Sequence, residues 1–130
     1  MLKRIKTLLE DKAIFIAISI TIFIAILSLI KTDNIPLESF SNSDKVYHAI
    51  AYFFLMLSWL YTFHKKEAFN KNVKYVILAC FIYGIIIEVL QGVLTEVRTP
   101  DFNDFIANCC GIMVVSVIIF IRNKTQVKNL

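Results

Sequence analysis

The sequence predicts an all-α protein: a four-helix transmembrane bundle with its N- and C-termini in the cytoplasm. Three observations carry that expectation. Of the 130 residues, 58% are hydrophobic, above the about 45–50% usual in soluble domains, and the excess lies in four long runs. Only three Gly and two Pro interrupt the chain. The fourteen Lys and Arg gather at the ends of the apolar runs, and unequally. Helices and closed barrels are the only structures that span a bilayer, because backbone groups cannot stay unpaired in hydrocarbon. These runs do not alternate as barrel strands do. A chain of this length makes one domain, residues 1–130.

Residues 1–12 form a basic tail with Lys3, Arg4, Lys6 and Lys12, followed by the first span at residues 13–30, eighteen residues without a charge. That run is longer than the about 7–15 residues of a signal-peptide core, and Leu29-Ile30-Lys31 does not resemble a cleavage site, so an uncleaved helix is expected. Residues 31–45 form a polar loop broken by Pro36, in which Ser41 and Asp44 have capping-box spacing. The second span covers residues 46–63, with His48 as its one residue of variable charge. A polar loop at 64–74 carries four lysines. The third span covers residues 75–94 and holds Glu88. In the connection at 95–104, Thr99 reads as an N-cap and Pro100 as the first helical residue. Asp101 then falls in the first turn, where the helix dipole favours an anion. The fourth span covers residues 105–121, and residues 122–130 are a polar tail. Each run approaches the about 20 residues that cross a ~30 Å hydrocarbon core.

Charge gives the orientation. The N-terminal tail, the 64–74 loop and the C-terminal tail hold eleven of the fourteen Lys and Arg, against Lys31, Lys45 and Arg98 elsewhere. The positive-inside rule therefore puts both termini in the cytoplasm and the 31–45 and 95–104 loops outside. With a net charge of +4, the expected partner is the bilayer and its anionic headgroups. No nucleic-acid motif is present. Cys80, Cys109 and Cys110 fall inside spans and lack any CxxC or Cys/His spacing, so they read as small core filler. No metal centre and no cofactor is expected. Trp59, Tyr61 and Tyr75 border the 64–74 loop and read as a cytoplasmic aromatic belt.

The intramembrane polar residues form stripes. Asp44, His48 and Tyr52 recur every four residues and share one helical face. Gly84, Glu88, Gln91 and Thr95 make a second stripe, and Asp101, Asp104, Asn108 and Gly111 a third. All three lie toward the outer ends of their helices. At the helical rise, Glu88 is roughly 9 Å inside its boundary and His48 and Asn108 roughly 3–5 Å inside theirs. They can meet in one shallow cavity open to the outside.

Glu88 is the sharpest signal, since a lone charge there costs at least about 2.5–3.5 kcal/mol on insertion scales. Its candidate partners are Arg98, His48, Lys45 and Gln91; a structural salt bridge between helices is the plainer reading. His48 can serve as base, ligand or donor, or simply bond Asp44 one turn earlier. Arg98 offers a planar fork suited to phosphate or carboxylate, or it pairs with Asp101 or Asp104. Asn108 is a candidate site residue or helix glue. Asp101 and Asp104 share a face able to hold a divalent cation, although two carboxylates alone make no site.

Three motifs in order resemble one family. Asp44-Lys45-Val46-Tyr47-His48 followed by Tyr52 resembles the DKxxHxxxY motif of VanZ-like proteins. Glu88-Val89-Leu90-Gln91 resembles their ExxQ motif. Arg98, Asp101, Asp104, Asn108 and Gly111 resemble their R-x-x-D-x-x-D-x-x-x-N-x-x-G motif. The likeness covers roughly residues 40 to 120. It implies a four-helix bacterial cytoplasmic-membrane protein, in a family whose name member is associated with low-level resistance to the glycopeptide teicoplanin. Val115 stands where such sequences often carry a second Gly.

Three functional classes follow. The first is a protein that binds or modifies an amphiphilic cell-envelope molecule, such as a lipid-linked phosphate or a lipoglycopeptide. Its cleft would be lined by Asp44, Lys45, His48, Tyr52, Glu88, Gln91, Arg98, Asp101, Asp104 and Asn108. The second is an enzyme using His48, Glu88, Asp101 and Asp104 in acid–base or metal chemistry, without any Walker or HExxH pattern. The third is an interaction protein whose polar network only locks the bundle. A transporter fits poorly, because the polar groups are one-sided.

Overall fold

The computed structural model of the chain describes residues 1–30, 41–64, 69–94 and 101–128. Five helices make up these residues: α1 (Leu2–Asp11), α2 (Ala13–Leu29), α3 (Ser41–Phe63), α4 (Phe69–Leu94) and α5 (Phe102–Lys128). Helices α3, α4 and α5 are each long and apolar enough to cross a membrane. The pair α1–α2, bent by 63°, makes up a fourth candidate span. Three to four apolar helices fit a multi-pass membrane protein.

The first apolar run coincides with α2 to within one residue. The other three runs lie inside α3, α4 and α5, which overrun them. Helix ends reach past the hydrocarbon into polar surroundings, where the backbone bonds within the helix whatever the side chains are. Asn70, Lys71 and Lys74 therefore belong to α4. Arg122 and Lys124 belong to α5, so the expected polar tail is helical as far as Lys128.

The basic N-terminal tail is also helical. Leu2, Ile5, Leu8 and Leu9 recur at helical spacing, with Lys3, Arg4 and Lys6 between them. None of the α1 residues is buried. At the opposite end from Met1, Glu10 lies 3.7 Å from His64 and ties the α1–α2 elbow to the end of α3.

Helix α3 is the centre of the bundle and packs on α5, α2 and α4. It comes close to α5 at Gly111. A Cβ added to Gly111 would stand 2.2 Å from the Ala49 carbonyl oxygen and 2.9 Å from the Phe53 nitrogen, so the two backbones touch there. One turn on, Val115 is 1% exposed. It joins Tyr52, Leu55, Met56, Leu60, Val76, Cys80 and Ile112 in the core; there a side chain, not a second Gly, fills the gap between α3 and α5. Outward-facing Phe15, Phe23, Phe54 and Phe120 are exposed, as expected of a surface that faces lipid.

Polar bonds between helices supplement this packing, as membrane bundles require. Trp59 Nε1 donates to Thr21 Oγ1 at 3.1 Å, and Tyr83 Oη donates to the Thr21 carbonyl at 2.6 Å. The indole of Trp59 thus turns inward to α2, while Tyr75 stays exposed. All three cysteines are free thiols.

Candidate functional site

The close crossing at Gly111 brings together the residues just before it on α5 and those beside Ala49 on α3. His48 precedes Ala49, and Asn108 lies one turn before Gly111. Their side chains meet: His48 Nδ1 is 3.0 Å from Asn108 Oδ1. Asn108 is 1% exposed, and its Nδ2 donates to Glu88 Oε1 at 3.4 Å. Since Asn108 uses its amide N–H on Glu88, its oxygen accepts from the ring N–H of His48. One asparagine on α5 therefore links a histidine on α3 to a carboxylate on α4.

Glu88 is 7% exposed. Its Oε1 is 4.0 Å from His48 Nδ1, and its Oε2 is buried with no hydrogen-bond partner among the described residues. The carboxylate points into the bundle and not toward acyl chains. The other ring nitrogen of His48 faces away from Glu88: Nε2 lies 3.8 Å from Asp104 Oδ2. Asp44, one turn before His48, completes this side. One ligand-type atom each from Asp44, His48 and Asp104 lie within 4.8 Å of one another.

The other candidate residues have different surroundings. Tyr52 is 1% exposed and packs where Gly84 has no side chain; a Cβ there would be 3.3 Å from Tyr52 Cε1 and 3.7 Å from Asn108 Nδ2. The Tyr52 hydroxyl is buried without a hydrogen-bond partner among the described residues. Gln91 Nε2 donates to the Ser28 carbonyl at 3.0 Å, which ties α4 to the end of α2. Asp101 is the N-cap of α5. Its Oδ1 accepts from the Asn103 N–H at 2.8 Å, so it stands just before the first turn and not within it. Asp104 stands against His48, with Oδ2 3.8 Å from Nε2. Lys45 is half-buried beside Asp44. Arg98, with Thr95, Thr99 and Pro100, lies outside the described residues, and so does the side chain of Ser41.

The sequence offered Asp44 as one possible partner for His48; the structure gives Asn108 as its hydrogen-bond partner, sixty residues away. The Ser28 carbonyl that receives Gln91 was not foreseen either, because a backbone acceptor carries no residue-type signal.

The cluster sits at one end of the bundle, at the starts of α3 and α5 and toward the end of α4. It contains three carboxylates and an imidazole held by its neighbours. Such a set can accept a proton, hold a cation or hydrogen-bond a polar headgroup. A family model described as VanZ/LLP1 matches residues 6–123 of the 130. No match was found among curated proteins or among solved structures.

Proposed function

The chain belongs to the VanZ/LLP1 family, and on that premise we propose that its polar end binds the headgroup of an amphiphilic cell-envelope molecule, a lipid-linked phosphate or a lipoglycopeptide. The apolar part of the ligand lies along the bundle in the bilayer. The protein resides in the bacterial cytoplasmic membrane with both termini inside, and the cleft faces the outer water. The concentration of eleven of fourteen Lys and Arg on the other side supports that orientation. Interference with teicoplanin-type glycopeptides at the envelope belongs to the same proposal.

The observation that carries this reading is the convergence of His48, Glu88 and Asn108 from three helices, with Glu88 Oε2 left without a hydrogen bond among the described residues. A network built only to lock helices would use that oxygen. Burying an unpartnered carboxylate oxygen costs stability; a ligand that supplies a donor recovers it.

The test is a titration of the detergent-purified protein with a polyprenyl phosphate, alongside Glu88→Gln and His48→Phe. Saturable binding by the parent, weakened in both variants with the fold retained, is the expected outcome. Equal binding by all three proteins rejects the cleft as the binding site.

A second reading has its own observation. His48 is held through Nδ1 while Nε2 faces Asp104, the arrangement of a positioned acid–base imidazole. Hydrolase or transferase turnover of polyprenyl-phosphate substrates, lost in His48→Ala, would favour an enzyme. Absence of turnover in the parent would leave binding alone.

A further inference from the structure

Carboxylates dominate the polar end among the described residues. Asp44, Glu88 and Asp104 bring three carboxylates to His48, whose ring separates Glu88 from Asp104. A cation bound among these groups offsets their charge. We propose that Asp44, His48 and Asp104 form a binding site for a divalent cation.

The donor geometry is close to closed. One donor atom from each of the three side chains lies within 4.8 Å of the others, and His48 Nε2 and Asp104 Oδ2 are 3.8 Å apart. Around an ion with bonds of about 2.0–2.2 Å, neighbouring ligand atoms stand roughly 3–4 Å apart. Small side-chain rotations bring the three within reach of one ion.

The second, independent observation is behind the ring. Metal-bound histidines characteristically engage their other nitrogen with a side-chain or backbone oxygen, which sets the tautomer. Here Asn108 Oδ1 accepts the Nδ1–H hydrogen bond at 3.0 Å, and in that tautomer Nε2 presents its lone pair toward Asp104. Glu88, more than nine-tenths buried, aims its carboxylate at the same ring, with Oε2 unbonded among the described residues.

Donor chemistry selects the class of ion. One imidazole with two carboxylates suits manganese, iron or zinc; calcium and magnesium prefer oxygen alone and more of it. Three protein ligands leave coordination positions for water or for a phosphate oxygen. Only that last step, ligation of a headgroup phosphate, rests on the lipid-binding reading above.

The experiment uses the full chain in detergent, stripped with EDTA and titrated with Mn²⁺, with free Mn²⁺ read by electron paramagnetic resonance. The parent is expected to bind one Mn²⁺ per chain, displaced by Zn²⁺. Asp44→Asn and Asp104→Asn should each weaken binding by about tenfold or more. Asn70→Ala, at the far end of the bundle, should leave it unchanged. Melting in EDTA identifies any variant that fails to fold; Asp44→Asn, on a half-buried side chain, then carries the test. No saturable binding by the parent, or equal binding by both folded aspartate variants, overturns the ion site. If the parent binds no metal but binds polyprenyl phosphate in EDTA, the ion site falls and the lipid reading stands. If it binds Mn²⁺ but no lipid phosphate, the reverse holds.

Discussion

His48 and Asn108, on α3 and α5, meet through Nδ1 and Oδ1 at 3.0 Å, and the asparagine passes the contact on to Glu88 of α4. Each of the three side chains is costly alone at membrane depth. Joined, they make a network whose open side carries Asp44 and Asp104.

Removal of the link should be felt by the whole bundle. Asn108→Ala removes the hydrogen bonds that join His48 and Glu88 to α5. The expected loss is about 1–2 kcal/mol, read as a lower midpoint in detergent unfolding. An unchanged midpoint would mean that the asparagine is not part of the packing.

The two glycines should respond in different degrees. Gly111→Ala sets a methyl 2.2 Å from the Ala49 carbonyl oxygen, against rigid backbone. Forced separation of α3 and α5 should cost about 3 kcal/mol or more, at the upper end of overpacking effects. Gly84→Ala meets the Tyr52 ring at 3.3 Å, a side chain that can shift. The helix-propensity gain of about 1 kcal/mol offsets that contact, so the net change should stay within about 1 kcal/mol. Comparison of melting midpoints and folded yields decides; equal damage at both sites would contradict the backbone crossing.

Trp59, the one tryptophan, reports the α2–α3 contact directly. Thr21→Val removes the oxygen that accepts its indole N–H at 3.1 Å, while the backbone carbonyl bonded to Tyr83 survives. A blue shift in emission is expected, with a stability loss near the ~0.6 kcal/mol average for membrane hydrogen bonds. Emission like the parent's would place the indole elsewhere.

The orientation is open to labelling in intact cells. With the three native cysteines replaced by alanine, Ser43→Cys, beside the cluster, should react with an impermeant maleimide. Lys71→Cys should react only after the membrane is opened. The opposite pattern would turn the cleft toward the cytoplasm.

The apolar runs made α2, α3, α4 and α5 legible, because a long uncharged stretch has one stable solution in lipid. Their overruns were not legible, since a helix end in polar surroundings needs no apolar residue. Helix α1 was missed for a related reason. Its Lys3, Arg4 and Lys6 obscured the spacing of Leu2, Ile5, Leu8 and Leu9, which charge counting does not weigh. At the cluster, spacing along each helix aligned Asp44 with His48 and Glu88 with Gln91. It could not say that Gln91 would reach the Ser28 carbonyl of α2, or that Asp101 would turn back to cap its helix while Asp104 faced His48. Those outcomes depend on how each helix is rotated against its neighbours and on the local turn that starts α5.

The most direct measurement is native mass spectrometry of the protein released from its own membranes, compared with Glu88→Gln, a substitution that keeps the shape of the side chain. A phosphate-bearing or glycosylated envelope lipid retained by the parent and lost from a stably folded Glu88→Gln is the predicted result. The same lipid retained equally by both proteins, or none retained by the parent, would contradict a ligand site built around Glu88.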